Sequence, residues 1–194
     1  MPQPTPPSPF ARSLAAVAAA LLPALAAAPA LAEKADRGKP LEVQADRSGT
    51  ADLRNQVSRF SGNVVITQGT MTIRADRVEI RQTPDGYHQA QAWGAPGAPV
   101  SYRQKRDVAD EWVEGTAERV EFDGKAEVLR FVGSGVVRRL RGKDVVDEIT
   151  GALITWNHAA EQFSVQGGSA TGGAPGSGRA RAVFTPPPKA SEPR

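Results

Sequence analysis

The chain has 194 residues, with 24 basic and 21 acidic side chains, a formal net charge of +3 and 40% apolar residues. Charges this nearly balanced do not indicate a nucleic-acid-binding protein. The absence of cysteine excludes a disulfide framework and thiolate metal sites. The apolar content fits sheets that bury one face and expose the other.

The N-terminal segment has the features of a secretory signal. Arg12 precedes an Ala- and Leu-rich run over residues 14–28, and small residues follow at positions 30–32. A basic start, an apolar middle and a small-residue end are the parts of a signal peptide. We therefore expect residues 1–32 to be cleaved and the mature chain to be exported.

A retained membrane anchor is the alternative for this segment. Pro23 and Pro29 interrupt the apolar run and leave it shorter than the ~20 residues that a membrane-spanning helix needs. Cleavage is therefore the preferred interpretation. The polar residues 33–40 are expected to form a flexible leader.

Residues 60–80 predict a β-hairpin. Two runs rich in Val, Ile and Thr are separated by Gly69. In the second run the apolar side chains occupy odd positions up to Ala75 and even positions from Val78 onward. Because side chains of a strand alternate between its two faces, this change of parity predicts a bulge or sharp bend.

The bend recurs along the chain. Similar corners are centred on Asp46, Asp76, Glu118 and Ala152, and each is followed at a similar distance by an apolar residue, one spacer and a glycine. Such units bury their apolar faces only when they stack on one another. The sequence therefore predicts an all-β, antiparallel β-roll built from repeated bent strands.

The remaining segments complete one β-domain over residues 41–186. We expect a first strand at 41–46, a turn region at 48–56, a charged loop at 103–111, a Gly-rich linker at 167–178, a terminal edge strand at 179–185 and a disordered tail at 187–194.

The sequence contains little that resembles catalytic machinery. His88 and His158 are not at metal-ligand spacing, and no nucleophile motif is present. The acidic corner residues Asp46, Asp76 and Glu118 are the short polar type that bonds nearby backbone at a bend. We therefore expect no enzyme activity, no catalytic residue, no cofactor and no metal site.

Two features point to binding instead. An open roll leaves an edge strand at each end, so partner contacts are expected at Leu41, Val43 and Ala45 and at Arg181 and Val183. The inward-facing residues outline an apolar lining, which is either an ordinary packed core or, if the sheets stay apart, a groove for acyl chains. This lining is predicted to comprise Leu41, Val43, Phe60, Val64, Ile66, Ile73, Val78, Ile80, Tyr102, Val120, Phe122, Phe131, Val136 and Ile154.

Five stretches carry a resemblance to a known family. The hairpin FSGNVVITQGTMTIRADRVEI, with PLEVQAD before it and GAPVSYRQ, VEGTAERVEF and ITGALITW after it, resembles the OstA-like family of lipopolysaccharide-export proteins. The resemblance covers residues 40–186. It implies a twisted, open β-jellyroll, also called a β-taco, that binds the lipid A part of lipopolysaccharide in its interior.

The resemblance also implies partners and roles. It implies a non-enzymatic periplasmic bridge that carries lipopolysaccharide from the inner to the outer membrane and self-associates end to end. LptC would join its N-terminal edge and the N-terminal domain of LptD its C-terminal edge. Leu41 and Val43 match the family's lining near the N-terminal edge, and Tyr102 and Phe122 match its interior aromatic residues.

Several alternatives stay open at this stage. They are an LptC-like, membrane-anchored transfer protein, an enzyme built from β-repeats that acts on polysaccharide, and a structural scaffold with a solid interior. A set of basic side chains could contact lipid phosphates at a rim or simply form a solvated face. These residues are Arg103, Lys105, Arg106, Arg138, Arg139 and Arg141.

Overall fold

The computed structural model describes residues 35–168 and 179–185. The predicted signal peptide, the predicted tail and residues 169–178 of the predicted linker lie outside the described residues. Within the described residues there are twelve β-strands, and no helix there is long and apolar enough to cross a membrane. The strands are β1 (Glu42–Gln44), β2 (Ser48–Asp52), β3 (Val57–Gln68), β4 (Met71–Gln82), β5 (His88–Trp93), β6 (Val100–Lys105), β7 (Glu111–Ala117), β8 (Arg119–Asp123), β9 (Val128–Arg141), β10 (Asp144–Asn157), β11 (Gln162–Gln166) and β12 (Arg181–Phe184).

The long strands β3, β4, β9 and β10 each run through two halves of the molecule, which we call arm 1 and arm 2. Arm 1 follows the antiparallel order β1-β3-β4-β6-β7-β9-β10-β12. Arm 2 follows the antiparallel order β2-β3-β4-β5-β8-β9-β10-β11. A long strand therefore exchanges its neighbours halfway along its length. For example, β4 pairs with β6 at residues 72–74 and with β5 at residues 77–82.

The exchange takes place along one line, which we call the bend. The β3–β4 register shifts between Ser61 and Val64, and the intervening Gly62 and Asn63 have φ values of 84° and 44°. In β9, Gly133 and Ser134 repeat this left-handed conformation. An extra residue with positive φ is the signature of a β-bulge, so the predicted repeated bends and the all-β fold are confirmed.

The corner residues hold neighbouring strands together along the bend. The Asp46 N–H donates to the Gly62 carbonyl at 2.8 Å, and the Glu118 N–H donates to the Gly133 carbonyl at 3.0 Å. The Asp46 carboxylate also accepts a hydrogen bond from the Asn63 side-chain amide at 2.8 Å. The recurring acid and the recurring glycine of the sequence are therefore hydrogen-bonded neighbours, as a structural role for the acids requires.

One predicted turn is wrong. Residues 48–52, expected to begin a turn region, form β2, which pairs with residues 57–61 of β3. The composition Ser-Gly-Thr-Ala-Asp conceals this strand because every one of its residues is exposed. A polar edge strand carries no apolar alternation, so the usual pattern of a half-buried strand is absent.

The core lies between the arms. Fully buried side chains from arm 1, such as Val64, pack against those from arm 2, such as Val120 and Phe131. Of two adjacent valines on β9, Val137 takes the inward place, whereas Val136, predicted to line the interior, does not belong to the buried cluster. Phe131 and Val137 are both buried and both at odd positions, so β9 keeps the same inward positions on the two sides of its bulge, and the even-numbered Val136 does not join them.

Candidate functional site

An apolar pocket opens between the free ends of the two arms, on the side opposite the bend. This mouth pocket has a volume of about 310 Å³. Met71 and Tyr102 line it from arm 1, and Phe122 and Leu129 line it from arm 2. All of these side chains lie at inward positions of their strands. The alternation of side chains along a strand therefore forms the pocket wall as well as the core.

A second pocket lies at the N-terminal end of the interior, where β1 and β2 are the edge strands. This end pocket has a volume of about 440 Å³ and is lined by Val43 from β1, by Leu41 just before β1, and by Phe60 and Ile80 from β3 and β4. Leu41 also lines the mouth pocket. The two pockets therefore adjoin, and an apolar surface continues from the mouth to the N-terminal end.

The interior closer to the bend is filled. The rings of Tyr102 and Phe131 meet edge to face, with centroids 5.7 Å apart. Phe131 lies directly over Gly115, where an added Cβ would come within 2.3 Å of its ring. Since Phe131 is completely buried, these rings fill the interior on the bend side, and the mouth pocket lies on their other side.

A polar network borders the mouth pocket. The Tyr102 hydroxyl donates to Gln104 Oε1 at 2.5 Å, and Gln104 Nε2 donates to Asp36 Oδ2 at 3.0 Å. The Asp36 carboxylate also accepts hydrogen bonds from the Thr70 N–H at 2.9 Å and the Thr70 hydroxyl at 2.5 Å. Asp36 and Gln104 are buried and satisfied, although neither belongs to the predicted site and Asp36 falls in the predicted leader.

Most of the predicted lining residues are brought together. Leu41, Val43, Phe60 and Phe122 are only partly buried and line the pockets. Val136 is the exception described above. The remaining residues are buried in one cluster: Val64, Ile66, Ile73, Val78, Ile80, Tyr102, Val120, Phe131 and Ile154.

Sequence reasoning missed other interior residues. Met71 and Leu129 line the mouth pocket, and Trp156 stacks on Phe163 with ring centroids 4.2 Å apart. The alternation of apolar and polar residues could have identified all three, because each lies at an inward position of a bent strand. The exchange of partners at the bend, which decides that both arms face one interior, is not visible in a single strand.

The basic residues predicted as a possible rim are largely paired with acids. Arg138 Nε lies 2.7 Å from Glu148 Oε2, Arg139 Nη2 lies 2.5 Å from Asp147 Oδ2, and Arg103 pairs with Glu114. These partners are cross-strand neighbours on arm 1. The arginines therefore stabilise the sheet surface, since opposite charges on facing positions of adjacent strands attract.

Glu111 is the centre of a further charged cluster at the free end of arm 1. Its carboxylate is buried and pairs with Arg106 at 2.9 Å, Arg139 at 3.1 Å and Arg141 at 2.9 Å. Burial raises the pKa of Glu111, but the hydrogen bond from Arg141 and the charge of Arg139 outweigh it, so the pKa lies below its ordinary value.

Each arm ends in edge strands that are paired on one side only. In the described part of the chain, β1 and β2 pair only with β3, and β11 and β12 pair only with β10. Leu41, Val43 and Ala45 lie on or beside β1, and Arg181 and Val183 lie on β12. The outer backbone groups of all these strands are available to another chain.

The described residues hold no cluster of His, Asp or Glu that could bind a metal ion. His158 Nδ1 accepts a hydrogen bond from Trp156 Nε1 at 3.0 Å. The corner acids are bonded to neighbours along the bend: Asp76 pairs with Arg47, and Glu118 accepts from the Ser134 hydroxyl at 3.1 Å. What the arrangement offers is an apolar cleft with open strand edges.

Fold and cleft together define an antiparallel β-jellyroll whose interior is lined by apolar side chains. Residues 42–162 match the family described as LptA/(LptD N-terminal domain) LPS transport protein. This match spans more than half of the chain, so the chain belongs to that family. The resemblance inferred from the sequence is confirmed.

Individual LptA proteins are also similar to the chain. The chain is 32% identical over 98 residues to the lipopolysaccharide export system protein LptA of Escherichia coli K12, covering 50% of this chain and 51% of that protein. It is 33% identical over 99 residues to LptA of Haemophilus influenzae, covering 51% of this chain and 56% of the relative. The chain thus matches about half the length of these curated relatives.

A solved structure shares the fold. The crystal structure of LptH from Pseudomonas aeruginosa, the LptA-homologous periplasmic component of the lipopolysaccharide transport device, superposes with a TM-score of 0.66. The sequences are 21% identical, and the alignment covers 78% of this chain and 99% of that chain. This likeness confirms the β-jellyroll.

Proposed function

We propose that the protein is a periplasmic, non-enzymatic carrier of lipopolysaccharide that works as LptA does, holding acyl chains of lipid A in the cleft between its arms. The observation that carries this proposal is the continuous apolar surface from the mouth pocket to the end pocket, which Leu41 joins. Names of the relatives, which are lipopolysaccharide export proteins, support it.

The size of the cleft suits chains rather than whole lipids. Pockets of about 310 and 440 Å³ hold flexible hydrocarbon, and each buried methylene contributes about 0.8 kcal/mol. The sugars and phosphates would remain outside, where charged groups are hydrated. Because the sheet provides similar inward positions in successive strands, a lipid can advance by small steps instead of escaping one deep minimum.

End-to-end assembly follows from the strand edges. A second copy could pair β12 with β1 in arm 1 and β11 with β2 in arm 2, which would continue both sheets. By the same pairing, LptC would occupy the N-terminal edge and the LptD N-terminal domain the C-terminal edge. The inclusion of LptD N-terminal domains in the family supports a shared edge geometry.

Photo-crosslinking in cells tests the carrier proposal. A photoreactive amino acid at Phe122, which lines the mouth pocket, is expected to form an adduct with lipopolysaccharide. The matched control is the adjacent Glu121 on β8, whose side chain points to the outer face and pairs with Arg119 at 2.9 Å. Equal labelling at both positions, or no lipid adduct at Phe122, would contradict the proposal and favour a scaffold.

Mature-terminus sequencing tests the location. Cleavage after Ala32 would leave Glu33 as the first residue of a protein recovered from the periplasm. An uncleaved chain found in the membrane fraction would instead favour the LptC-like alternative.

A further inference from the structure

Residues 35–40, which we call the strap, are anchored to arm 1 by a buried carboxylate. The backbone turns helically at residues 35–36, and Asp36 is only 5% exposed. Its carboxylate accepts hydrogen bonds from the Thr70 N–H at 2.9 Å, the Thr70 hydroxyl at 2.5 Å and Gln104 Nε2 at 3.0 Å. A side chain at Gly69 would collide with this carboxylate, so the turn between β3 and β4 is shaped to receive it.

The backbone of the strap is also hydrogen-bonded to arm 1. Gln68 Nε2 donates to the carbonyl of Lys39 at 3.0 Å and to that of Arg37 at 3.4 Å. Gln68 belongs to β3 in arm 1, as the pairing of residues 64–68 with residues 71–75 of β4 shows. Both the side chain of Asp36 and the strap backbone are therefore attached to the same arm.

The other side of the strap contacts arm 2. Arg37 Nη1 lies 2.7 Å from Glu127 Oε2, in the turn between β8 and β9. Asp36, Arg37 and Glu127 all line the mouth pocket. The strap therefore crosses the opening between the arms directly above the apolar surface formed by Met71, Phe122 and Leu129. A second pair, Arg106 Nη2 with Glu161 Oε2 at 3.6 Å, joins the two arm ends elsewhere.

We propose that the strap is a closure for the mouth of the cleft, and that a lipid chain enters sideways between the arms only after the Arg37–Glu127 contact opens. This inference rests on the proposed function for the identity of what enters. The strap stays on arm 1 and hinges away from arm 2.

The attachment of the strap to arm 1 is stronger than its contact with arm 2, as a hinge on arm 1 requires. The Asp36 carboxylate is buried, and charge-assisted hydrogen bonds in a buried site are the strong kind. The side chains of Arg37 and Glu127 are 41% and 33% exposed, and exposed ion pairs contribute little. The contact to arm 2 therefore breaks first.

A reversible crosslink tests the closure. The chain contains no cysteine, so Arg37→Cys with Glu127→Cys allows selective linking by a bismaleimide with a reducible spacer. In the purified full chain, the linked form is expected to bind fluorescent lipid A at least tenfold more weakly than the unlinked double variant, and reduction of the spacer is expected to restore binding. Unchanged binding after linking would overturn the proposal.

The matched control is a pair on one arm. Lys125 Nζ lies 2.5 Å from Asp85 Oδ2, and both residues belong to turns at the free end of arm 2. Linking Lys125→Cys to Asp85→Cys with the same reagent bridges the same kind of ion pair without crossing the mouth. Binding of lipid A to this linked control is expected to stay within twofold of wild type. An equal loss in both linked proteins would refute a closure specific to the strap.

A lipid-free measurement separates this inference from the proposed function. A thiol at Met71→Cys lies below the strap, and its labelling by a small fluorescent alkylating reagent reports opening. Asp36→Ala is expected to increase the labelling rate at least tenfold, and the exposed Arg37→Ala about threefold. Ile66→Cys, buried but outside the mouth pocket, should not respond to either change.

The outcomes are then distinct. Faster labelling of Met71→Cys in strap variants of a protein that binds no lipid A would refute the carrier and retain the closure. Labelling of Met71→Cys that is the same in wild type and Arg37→Ala would overturn the closure even where lipid A binds. Equal acceleration at Ile66→Cys and Met71→Cys in both variants would also overturn it, because general loosening rather than opening of the mouth would then explain the effect.

Discussion

Tyr102 on arm 1 and Phe131 on arm 2 meet edge to face, with ring centroids 5.7 Å apart and planes inclined by 75°. This contact joins the two arms at the boundary between the filled interior and the open cleft. On the bend side, Val64, Val78 and Ile154 are completely buried. On the mouth side, Tyr102 itself lines the pocket. This aromatic pair therefore sets the separation of the arms and forms the inner wall of the cleft.

Removal of the Phe131 ring tests this joining role. Phe131→Ala is expected to lower the free energy of unfolding by about 3–5 kcal/mol, because a completely buried ring is lost and a cavity remains. Urea denaturation of the purified protein measures the change. Phe184→Ala removes a ring that is 72% exposed and should change stability by no more than about 0.5 kcal/mol. Similar losses in both variants would contradict this account.

Gly115→Ala tests the close approach below the same ring. The added Cβ would lie 2.3 Å from Phe131 Cε1, so the ring must shift, and overpacking of this kind costs about 1–3 kcal/mol. Gly38→Ala is the control, since its nearest neighbour would be 3.8 Å away. Combining Gly115→Ala with Phe131→Leu should recover part of the loss. Denaturation midpoints that do not change in Gly115→Ala would show that the ring can move freely.

The bend can be tested at Asn63, whose φ is 44°. Asn63→Val is expected to be less stable than Asn63→Gly by about 1–2 kcal/mol, because a side chain with a Cβ strains the left-handed conformation. Both variants lose the hydrogen bond to Asp46, so their difference isolates the backbone term. Thermal and urea unfolding measure it. Equal stability of the two variants would mean that the bulge does not hold this conformation.

Glu111→Gln tests the charged cluster at the end of arm 1. The pKa of Glu111 is lowered from an ordinary value of 4.5 because its arginine partners outweigh burial. A lowered pKa stabilises the fold above the unfolded-state value, and this stabilisation disappears as the pH falls through the folded-state pKa. Glu111→Gln is therefore expected to be less stable at pH 7 by about 1–3 kcal/mol and to lose less stability below about pH 4.5.

Urea midpoints measured from pH 7 to pH 3 check this prediction. The control is Glu121→Gln, whose partner Arg119 is 40% exposed, and this change should alter the stability at pH 7 by no more than about 0.5 kcal/mol. A Glu111→Gln profile parallel to wild type over the whole range would show that the carboxylate titrates in the folded protein as it does in the unfolded chain.

The bent hairpin could be predicted from the sequence because its signal is local. The parity change near Ala75 and Val78 follows directly from the two-residue period of a strand, and the partner β3 carries the bulge that completes it at Gly62 and Asn63. The terminal strand β12 was also predicted, since its alternation survives in four residues. These features need no knowledge of the rest of the fold.

Other features depend on contacts between distant residues. Asp36 reads as part of a polar leader, yet its partners Thr70 and Gln104 lie 34 and 68 positions away. Val137, and not the predicted Val136, faces the interior because β9 keeps the same inward parity across its bulge, whereas β4 changes parity at its bend. Whether the interior is filled or open depends on how far apart the arms stand, and the Tyr102–Phe131 contact that sets this distance has no sequence pattern.

The stacking of strands in each arm fixes how far one molecule can reach. Within the described residues each arm is eight strands wide, which at about 4.8 Å between neighbours gives a channel of about 34 Å. Adding or deleting one bent hairpin would change that reach by about 10 Å. In the end-to-end assembly that we propose, a longer route would grow in increments of whole molecules, so the number of copies, and not any stretching of the protein, would determine the gap that is bridged.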